Sequence, residues 1–489
     1  MMAIDKETYT DKSEENMEKG TTKTAVPAAQ AAVESKADTL NPHGAEHEEL
    51  RRLRDRLAAQ SGVVARLGRT LLAAGASAYL VKLSMARLAN AIGIEAHHSQ
   101  VTFSEIVTSA YAHGTFRTES HEQRVFGTNA ARLDDLRYLV RSLKPGMLVE
   151  EVEHRLDEIV AKPAPYHALV NWLAAGVACA GFCFLNHGGL VECTMVGIAA
   201  FFGQMLRRAM LHRGANHFGT WMLCGLVSSL IYMLGTQVLF MSGVVSSMHP
   251  QGIISAVLYL VPGFPLVTAI LDLVRMDFSA GISRMTYVLL LLISAGTSVW
   301  LLSTFFQWHI DPPTTFAVSG LALYPMQALC SFVASLGFAI LFSCRLEIAL
   351  WAALVASVVN VGRLFFVAQG VIPQAAAGLA AIAIGIIAHF ISVISKYRYS
   401  RTSLTVPAVV IMIPGVPLFS ALTHLSDGEI GMAAEPLTQV FFVILAIGVG
   451  LAISRMLTDP GWRIDRDTAR PGLLEETGWE GSGREFQMR

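Results

Sequence analysis

A few residues in long apolar runs of this chain could do chemistry there: two proline-glycine breaks, isolated acids and histidines, and isolated hydrogen-bonding side chains. The phrase Val261-Pro262-Gly263-Phe264-Pro265-Leu266 returns 152 positions later as Ile413-Pro414-Gly415-Val416-Pro417-Leu418. Proline removes a backbone donor and clashes with the preceding turn, and glycine adds freedom, so each phrase should unwind its helix near mid-membrane. Unwound backbone in hydrocarbon is tolerated only where it is packed in protein or lines a cavity. Exposed carbonyls and half-helix ends at Pro262, Gly263, Pro265 and at Pro414, Gly415, Pro417 could then hold the ammonium and carboxylate of a small polar solute. A packing kink without ligand contact is the alternative, weakened by the repetition.

Charged groups cluster after the first break: Asp272, Asp277 and Arg284 follow it closely, with Gly281 between them. A charge at the bilayer centre costs about 2.5–3.5 kcal/mol on insertion scales, so this cluster belongs at an interface or in a polar vestibule. It could be a gate or a proton-coupling site, or an interfacial salt-bridge cluster that fixes topology. At the matching places in the second half, His424 replaces Asp272 and His389 replaces Gln237. Histidine titrates near physiological pH, so either could relay a proton. Asn360 and Arg363 interrupt an otherwise apolar stretch and are candidate pathway residues facing the bundle interior; Asn171, near a helix start, is a weaker one.

These residues need elements to carry them. The chain has 489 residues, 53% hydrophobic and 15% charged, with a mean hydropathy of +0.47. That composition places most of it in lipid. Spans of bilayer length fall at roughly 168–186, 189–206, 217–241, 252–271, 285–306, 320–343, 347–366, 372–394, 404–422 and 437–456. Loops carrying Arg207, Arg208 and Arg213, then Arg275 and Arg284, Arg345, and Lys396, Arg398 and Arg401 fall on one side; the opposite loops hold no Lys or Arg. By the positive-inside rule both termini are cytoplasmic. Because the 152-residue offset maps five helices onto five, and five is odd, the second half should be inserted upside down.

The expected class is therefore a polytopic α-helical membrane protein, with about ten transmembrane helices as two five-helix inverted repeats, preceded by a small cytoplasmic α+β domain. The expected order is a disordered tail over 1–47, the α+β domain over 48–166, helices one to five over 167–310, helices six to ten over 316–457 and a disordered tail over 458–489. Within the domain, Leu53, Leu57, Val64, Leu67, Leu71 and Leu72, then Leu80, Leu83, Leu88 and Ile92, give helical periodicity in one long or two short helices. Strands are expected over 96–103, 105–116 and 124–126, and helices over 130–143 and 148–161.

Enzymatic motifs are missing. Gly75-Ala76-Ser77-Ala78-Tyr79 lacks the last glycine of a nucleophile elbow, and His121-Glu122 lacks a zincin's second histidine. No phosphate-binding loop appears, and the six cysteines show no metal spacing. His97, His98, His113 and His121 read as ordinary strand or surface histidines. No cofactor, no metal and no nucleic acid are expected.

With these residues in place, the chain resembles the threonine/serine exporter family over roughly residues 61–457. The likeness rests on Leu71-Leu72-Ala73-Ala74-Gly75-Ala76-Ser77 with Met85 and Gly93, on Val261-Pro262-Gly263, on the Asp272, Asp277, Gly281, Arg284 series, and on Pro407 leading to Ile413-Pro414-Gly415. It implies export of threonine and serine driven by the proton motive force, by an antiporter of the bacterial inner membrane. A branch whose membrane parts come from two chains implies small dicarboxylates instead. The expected partners are such a solute, protons and membrane lipid, with oligomerisation open. A membrane-anchored enzyme or sensor working through the cytoplasmic domain is the reading from another class.

Overall fold

A computed structural model describes residues 42–124, 126–244, 252–306, 320–396 and 398–463. It divides into two units at Asp55. The first contributes the opening of helix α1 (Pro42–Ala73), where Arg52 pairs with Glu48 one turn earlier. All else belongs to the second unit, Arg56–Arg489.

Helix α1 buries Leu57, Val64, Leu67, Leu71 and Leu72, the stripe expected of an amphipathic helix. It ends at Gly75, whose φ of +94° only glycine adopts without strain; the Ala76 amide reaches back to the Leu71 carbonyl at 3.0 Å. Ser77 caps helix α2 (Ala78–Ala91), so the apolar stretch forms two helices with a sharp connection. Strands β1 (Ala96–Val101), β2 (Glu105–Ala112) and β3 (Thr115–Glu122) form an antiparallel meander. Ile106, Thr108, Ala110 and Ala112 alternate into the core with the period of a strand.

Strand β3 was not anticipated at this place. Stretch 105–116 turns at His113-Gly114, whose φ values of +51° and +73° make the two-residue hairpin loop that suits the strand twist. Residues 124 and 126 are not in a strand, and 125 lies outside the described residues. Helices α3 (Ala130–Ser142) and α4 (Val149–Ala161) complete this part as expected.

The apolar region follows as α5 (Ala168–Leu185), α6 (Leu190–His212), α7 (His217–Met241), the one-turn α8 (Gly252–Ala256), a 3-10 turn at Leu258–Leu260, α9 (Gly263–Val274) and α10 (Phe278–Phe306). Then come α11 (Leu323–Leu341), α12 (Leu346–Ala368), α13 (Pro373–Ile394), α14 (Arg401–Val410), α15 (Gly415–Ser426), α16 (Ile430–Thr458) and the short α17 (Pro460–Arg463). Among the described residues, eight helices are long and apolar enough to cross a membrane, and α14 with the start of α15 meets the same measure only as a pair, bent by 59°. Leu169, Leu173 and Val177 on α5 and Phe441, Leu445 and Val449 on α16 are exposed, an apolar surface that lipid rather than water suits. The stretch at 252–271 is not one helix; Pro262 and Gly263 divide it from α9, as the sequence anticipates.

Lengths recur along the region. Helices α6 and α12 both have 23 residues, α9 and α15 both have 12, and α10 and α16 both have 29. Residues 1–41 and 464–489, where most of both expected tails fall, lie outside the described residues, but 42–47 are helical.

Candidate functional site

The first break forms where Pro262 interrupts the backbone ladder: Val261 receives the Gly263 amide at 2.8 Å, and Pro262 receives Leu266 at 3.0 Å to start α9. The second break repeats this with Ile413 and Gly415 at 2.8 Å and Pro414 and Leu418 at 3.1 Å. The breaks lie against each other. A Cβ on Gly263 would sit 2.5 Å from a Val410 methyl, and one on Gly415 would sit 2.4 Å from a Leu258 methyl. A side chain at either place would have to displace the Val410 or Leu258 side chain.

Beside the first break lies a cavity of about 220 Å³. Pro262, Phe264, Pro265 and Thr268 line it from α9, Arg284, Tyr287 and Leu291 from α10, and Arg207, His217, Trp221 and Tyr259 from the helices and turn in front. Gly75, Phe103 and Phe126–Thr128 of the amino-terminal part and Phe338 and Phe342 of α11 and its end close it. Its polar groups are held in separate pairs. Arg207 Nη1 donates to the Tyr259 carbonyl at 3.0 Å, with its guanidinium 5.2 Å from the Trp221 ring and 5.6 Å from that of Tyr259. Trp221 Nε1 donates to the Leu260 carbonyl at 2.7 Å, and His217 Nδ1 lies 2.6 Å from the Tyr287 hydroxyl.

Arg284, 2% exposed, is the most deeply enclosed of these groups. Its Nη2 donates to the Ala76 carbonyl at 2.9 Å, and its Nη1 lies 3.5 Å from Asp272 Oδ2, an ionic contact without hydrogen-bond geometry. Asp272 Oδ1 accepts from the Ala78 amide at 2.9 Å, acting as an anion at the positive end of α2. Lys82 pairs with Asp277, and the Arg275 guanidinium stacks 3.9 Å over the Tyr79 ring. The segment 76–82 is thus tied to the apolar region by four charged side chains.

The anticipated cluster of Asp272, Asp277 and Arg284 therefore comes together beside the first break, where Pro262 and Pro265 line the cavity and Gly263 faces Val410. Other candidates lie apart from it. At the second break Pro414, Gly415 and Pro417 do not line this cavity. Asn360 is fully buried; it donates to Ser331 Oγ at 2.9 Å and accepts from Arg363 Nε at 2.8 Å, a structural pair within the helix bundle. His424 binds Glu429 at 2.8 Å instead of repeating the contacts of Asp272, and His389 packs edge-on against Phe390. Asn171 accepts from Gln204 at 2.6 Å.

Arg207 was missed because it reads as a topogenic loop charge. The helix runs on to His212, and Val196, Ala199, Ala200 and Gly203 fix its buried face. Arg207 follows Gly203 by one turn, so helical phase alone puts it on that face. His217 and Tyr287, 70 positions apart, leave no such trace.

The amino-terminal part also holds a buried carboxylate against the second half. Asp134 Oδ1 accepts from the Ser400 amide at 2.7 Å and the Ser403 hydroxyl at 2.8 Å, at the start of α14. Burial pushes its pKa up to about 7, although both hydrogen bonds and nearby Arg137 and Arg345 pull it down.

Comparison with known proteins agrees with this architecture. A family model described as "Putative threonine/serine exporter" matches residues 62–306, and "Threonine/Serine exporter, ThrE" matches 327–457. A Klebsiella aerogenes protein named "Probable succinate transporter subunit YjjP" is 25% identical over 241 residues, 49% of this chain and 90% of that protein. Its Escherichia coli namesake is 27% identical over 237 residues, 47% and 89% of the two chains. A Mycobacterium tuberculosis "Probable threonine/serine exporter" is 24% identical over 416 residues, covering 81% of this chain and 75% of that one. No solved structure matches the chain. With one family model spanning half of the sequence and the second taking up most of the rest, this integral membrane protein belongs to the threonine/serine exporter family.

Proposed function

We propose that the protein is a secondary exporter of small hydrophilic, carboxylate-bearing metabolites, and that its solute occupies the cavity beside the first break. The single observation that carries this reading is that cavity: irregular backbone, two guanidinium groups and aromatic walls meet in a space of about 220 Å³ between the apolar helices and the amino-terminal part. Irregular backbone at membrane depth with polar groups around it is the form a carrier site takes.

Alternating access between two oppositely inserted halves fits the packing of the breaks. Gly263 meets Val410 and Gly415 meets Leu258, so a 152-residue step exchanges one contact for the other, as a two-fold relation requires. Recurring helix lengths and the one-sided loop charges support the same reading. The proton motive force is the proposed drive, with Asp272 the coupling carboxylate, since it alone of the candidate acids and histidines touches a cavity-lining residue. The segment 76–82 acts as a cytoplasmic gate, tied at Asp272, Asp277, Arg275 and Arg284. The proposed organisation is a cytoplasmic α+β domain before two five-helix repeats in the bacterial inner membrane.

Threonine and serine are the solutes the family name suggests. Small dicarboxylates are the second reading, favoured by the two arginines of the cavity wall and by the names of two relatives. Counterflow in proteoliposomes of the full chain, with threonine, serine and succinate at two pH values, tests the exporter reading. Saturable exchange of at least one solute, faster with an inward proton gradient, is expected; rates equal to protein-free vesicles for all three would overturn it.

A further inference from the structure

Helices α5 and α6 meet through small residues, and at one end of that contact two thiols touch. We propose that Cys183 and Cys193 are a dithiol pair that oxidises to an intrachain disulfide, a covalent modification site at the end of the α5–α6 hairpin. Cys193 lies about 20 Å along α6 from Arg207 of the cavity wall, so this site is separate from the cavity.

The register of the hairpin sets the pair. A Cβ on Gly176 of α5 would sit 2.6 Å from the Gly197 carbonyl oxygen of α6, and one on Gly197 would sit 3.6 Å from the Ala180 methyl. Small residues let two helix backbones approach this closely. The helices run antiparallel across the short turn 186–189, so one turn beyond Ala180 on α5 and one turn before Gly197 on α6 bring Cys183 opposite Cys193. A disulfide needs Cα atoms about 4.4–6.8 Å apart, and close packing of this kind supplies such separations without moving either helix.

Both sulfurs converge on Gly188. A Cβ there would overlap Cys183 Sγ, and Cys193 Sγ lies 3.8 Å from its carbonyl oxygen. The two thiols are in hydrogen-bonding contact with each other, and Cys183 is also bonded to Ser255 of α8. Their exposure differs: Cys183 is 1% exposed, whereas Cys193 is half-buried and open to a reagent. Cys179, Cys224 and Cys344 are fully buried, and Cys330 is half-buried on α11. The turn 186–189 carries no Lys or Arg, so in the proposed orientation it faces away from the cytoplasm, toward the side where disulfides form and persist.

The oxidant is a disulfide, either that of a thiol–disulfide oxidoreductase or a small one. The Cys193 thiolate attacks one sulfur of the oxidant, forming a mixed disulfide and releasing one thiolate. The Cys183 thiolate then attacks the Cys193 sulfur, and the bond to the oxidant breaks to release the second. Two protein thiols lose two electrons, the oxidant gains them, and both thiol protons end on its two sulfurs.

The test treats the reduced, purified full-length protein with oxidised glutathione, and separately with dithiodipyridine, a small uncharged disulfide. The product is then denatured in N-ethylmaleimide and digested without reductant for mass spectrometry. Expected are a peptide joining position 183 to 193 and the loss of two of the six alkylatable thiols. Cys183→Ser should lack that peptide and hold the oxidant's half on Cys193, because the second attack is then missing. Complete alkylation of both thiols after either oxidant, or a bond from Cys193 to Cys330 in place of Cys183, would overturn the proposal and leave the exporter reading untouched.

Discussion

The two breaks share a phrase, a hydrogen-bond pattern and a length of following helix, yet the first is buried beside a charged cavity while Pro414 and Pro417 of the second are half-buried. Position by position, the backbone features repeat, but Asp272, Arg284 and Tyr259 do not. Asp272 corresponds to His424, Arg284 to Pro436, and Tyr259 to Ile411. The amino-terminal part grips both, but by different means: Asp272 of the first half receives an amide from that part, whereas Asp134 of that part receives an amide and a hydroxyl from the second. Repetition of the phrase therefore provides two backbone breaks, and the buried ion pair of Asp272 and Arg284 accompanies the first.

The most severe way to break this comparison is to remove Asp272. Asp272→Asn leaves the Arg284 guanidinium without its counter-ion in a buried place, and losing one partner of such a pair costs about 3–5 kcal/mol. Thermal melting should fall sharply, whereas His424→Gln at the matching place, where the partner is a half-exposed Glu429, should change it little. Equal losses would erase the asymmetry.

Next in size are the breaks themselves. Gly263→Val and Gly415→Val each force atoms against Val410 or Leu258, an overpacking that costs about 1–3 kcal/mol. The two should destabilise alike, because the contact is reciprocal. Transport should suffer more at Gly263, the break that borders the cavity, and initial rates normalised to folded protein measure this.

Asp134 gives a smaller, pH-dependent effect. Its pKa rises from 3.8 to about 7 on folding, so the folded state holds a proton the unfolded chain releases. The associated stability is fully present below about pH 4 and is lost as pH rises through about 7. Melting curves of the wild type minus those of Asp134→Asn should decline over that window; a flat difference would contradict the assignment. The least effect belongs to Lys82→Ala, whose partly exposed pair with Asp277 is worth about 0.2–1 kcal/mol.

Much of this arrangement was legible in the sequence, because periodicity and composition are local. The apolar spans, the proline-glycine breaks, the amino-terminal helices and the cluster of Asp272, Asp277 and Arg284 all follow from residues near one another in the chain. The hairpin at His113-Gly114 was missed because the pair is not the usual Asn-Gly or Asp-Gly signal, although histidine tolerates positive φ better than most residues. Arg207 was hidden by the assumption that charge next to a span lies in a loop. The joining of Phe103, Phe126, His217 and Tyr287 around the cavity is a tertiary event between segments with no shared periodicity. Asn360 and Arg363 bond to each other and to Ser331, contacts between helix positions that the sequence alone does not reveal.

The central claim is that the solute binds at the first break and not at the second. Thr268 lines the cavity, and its counterpart 152 positions on is Ser420. With the six native cysteines replaced, Thr268→Cys and Ser420→Cys can be labelled with a small maleimide in proteoliposomes, with and without saturating solute. Solute should protect position 268 and leave the labelling rate at 420 unchanged; protection at 420 with none at 268 would contradict the account.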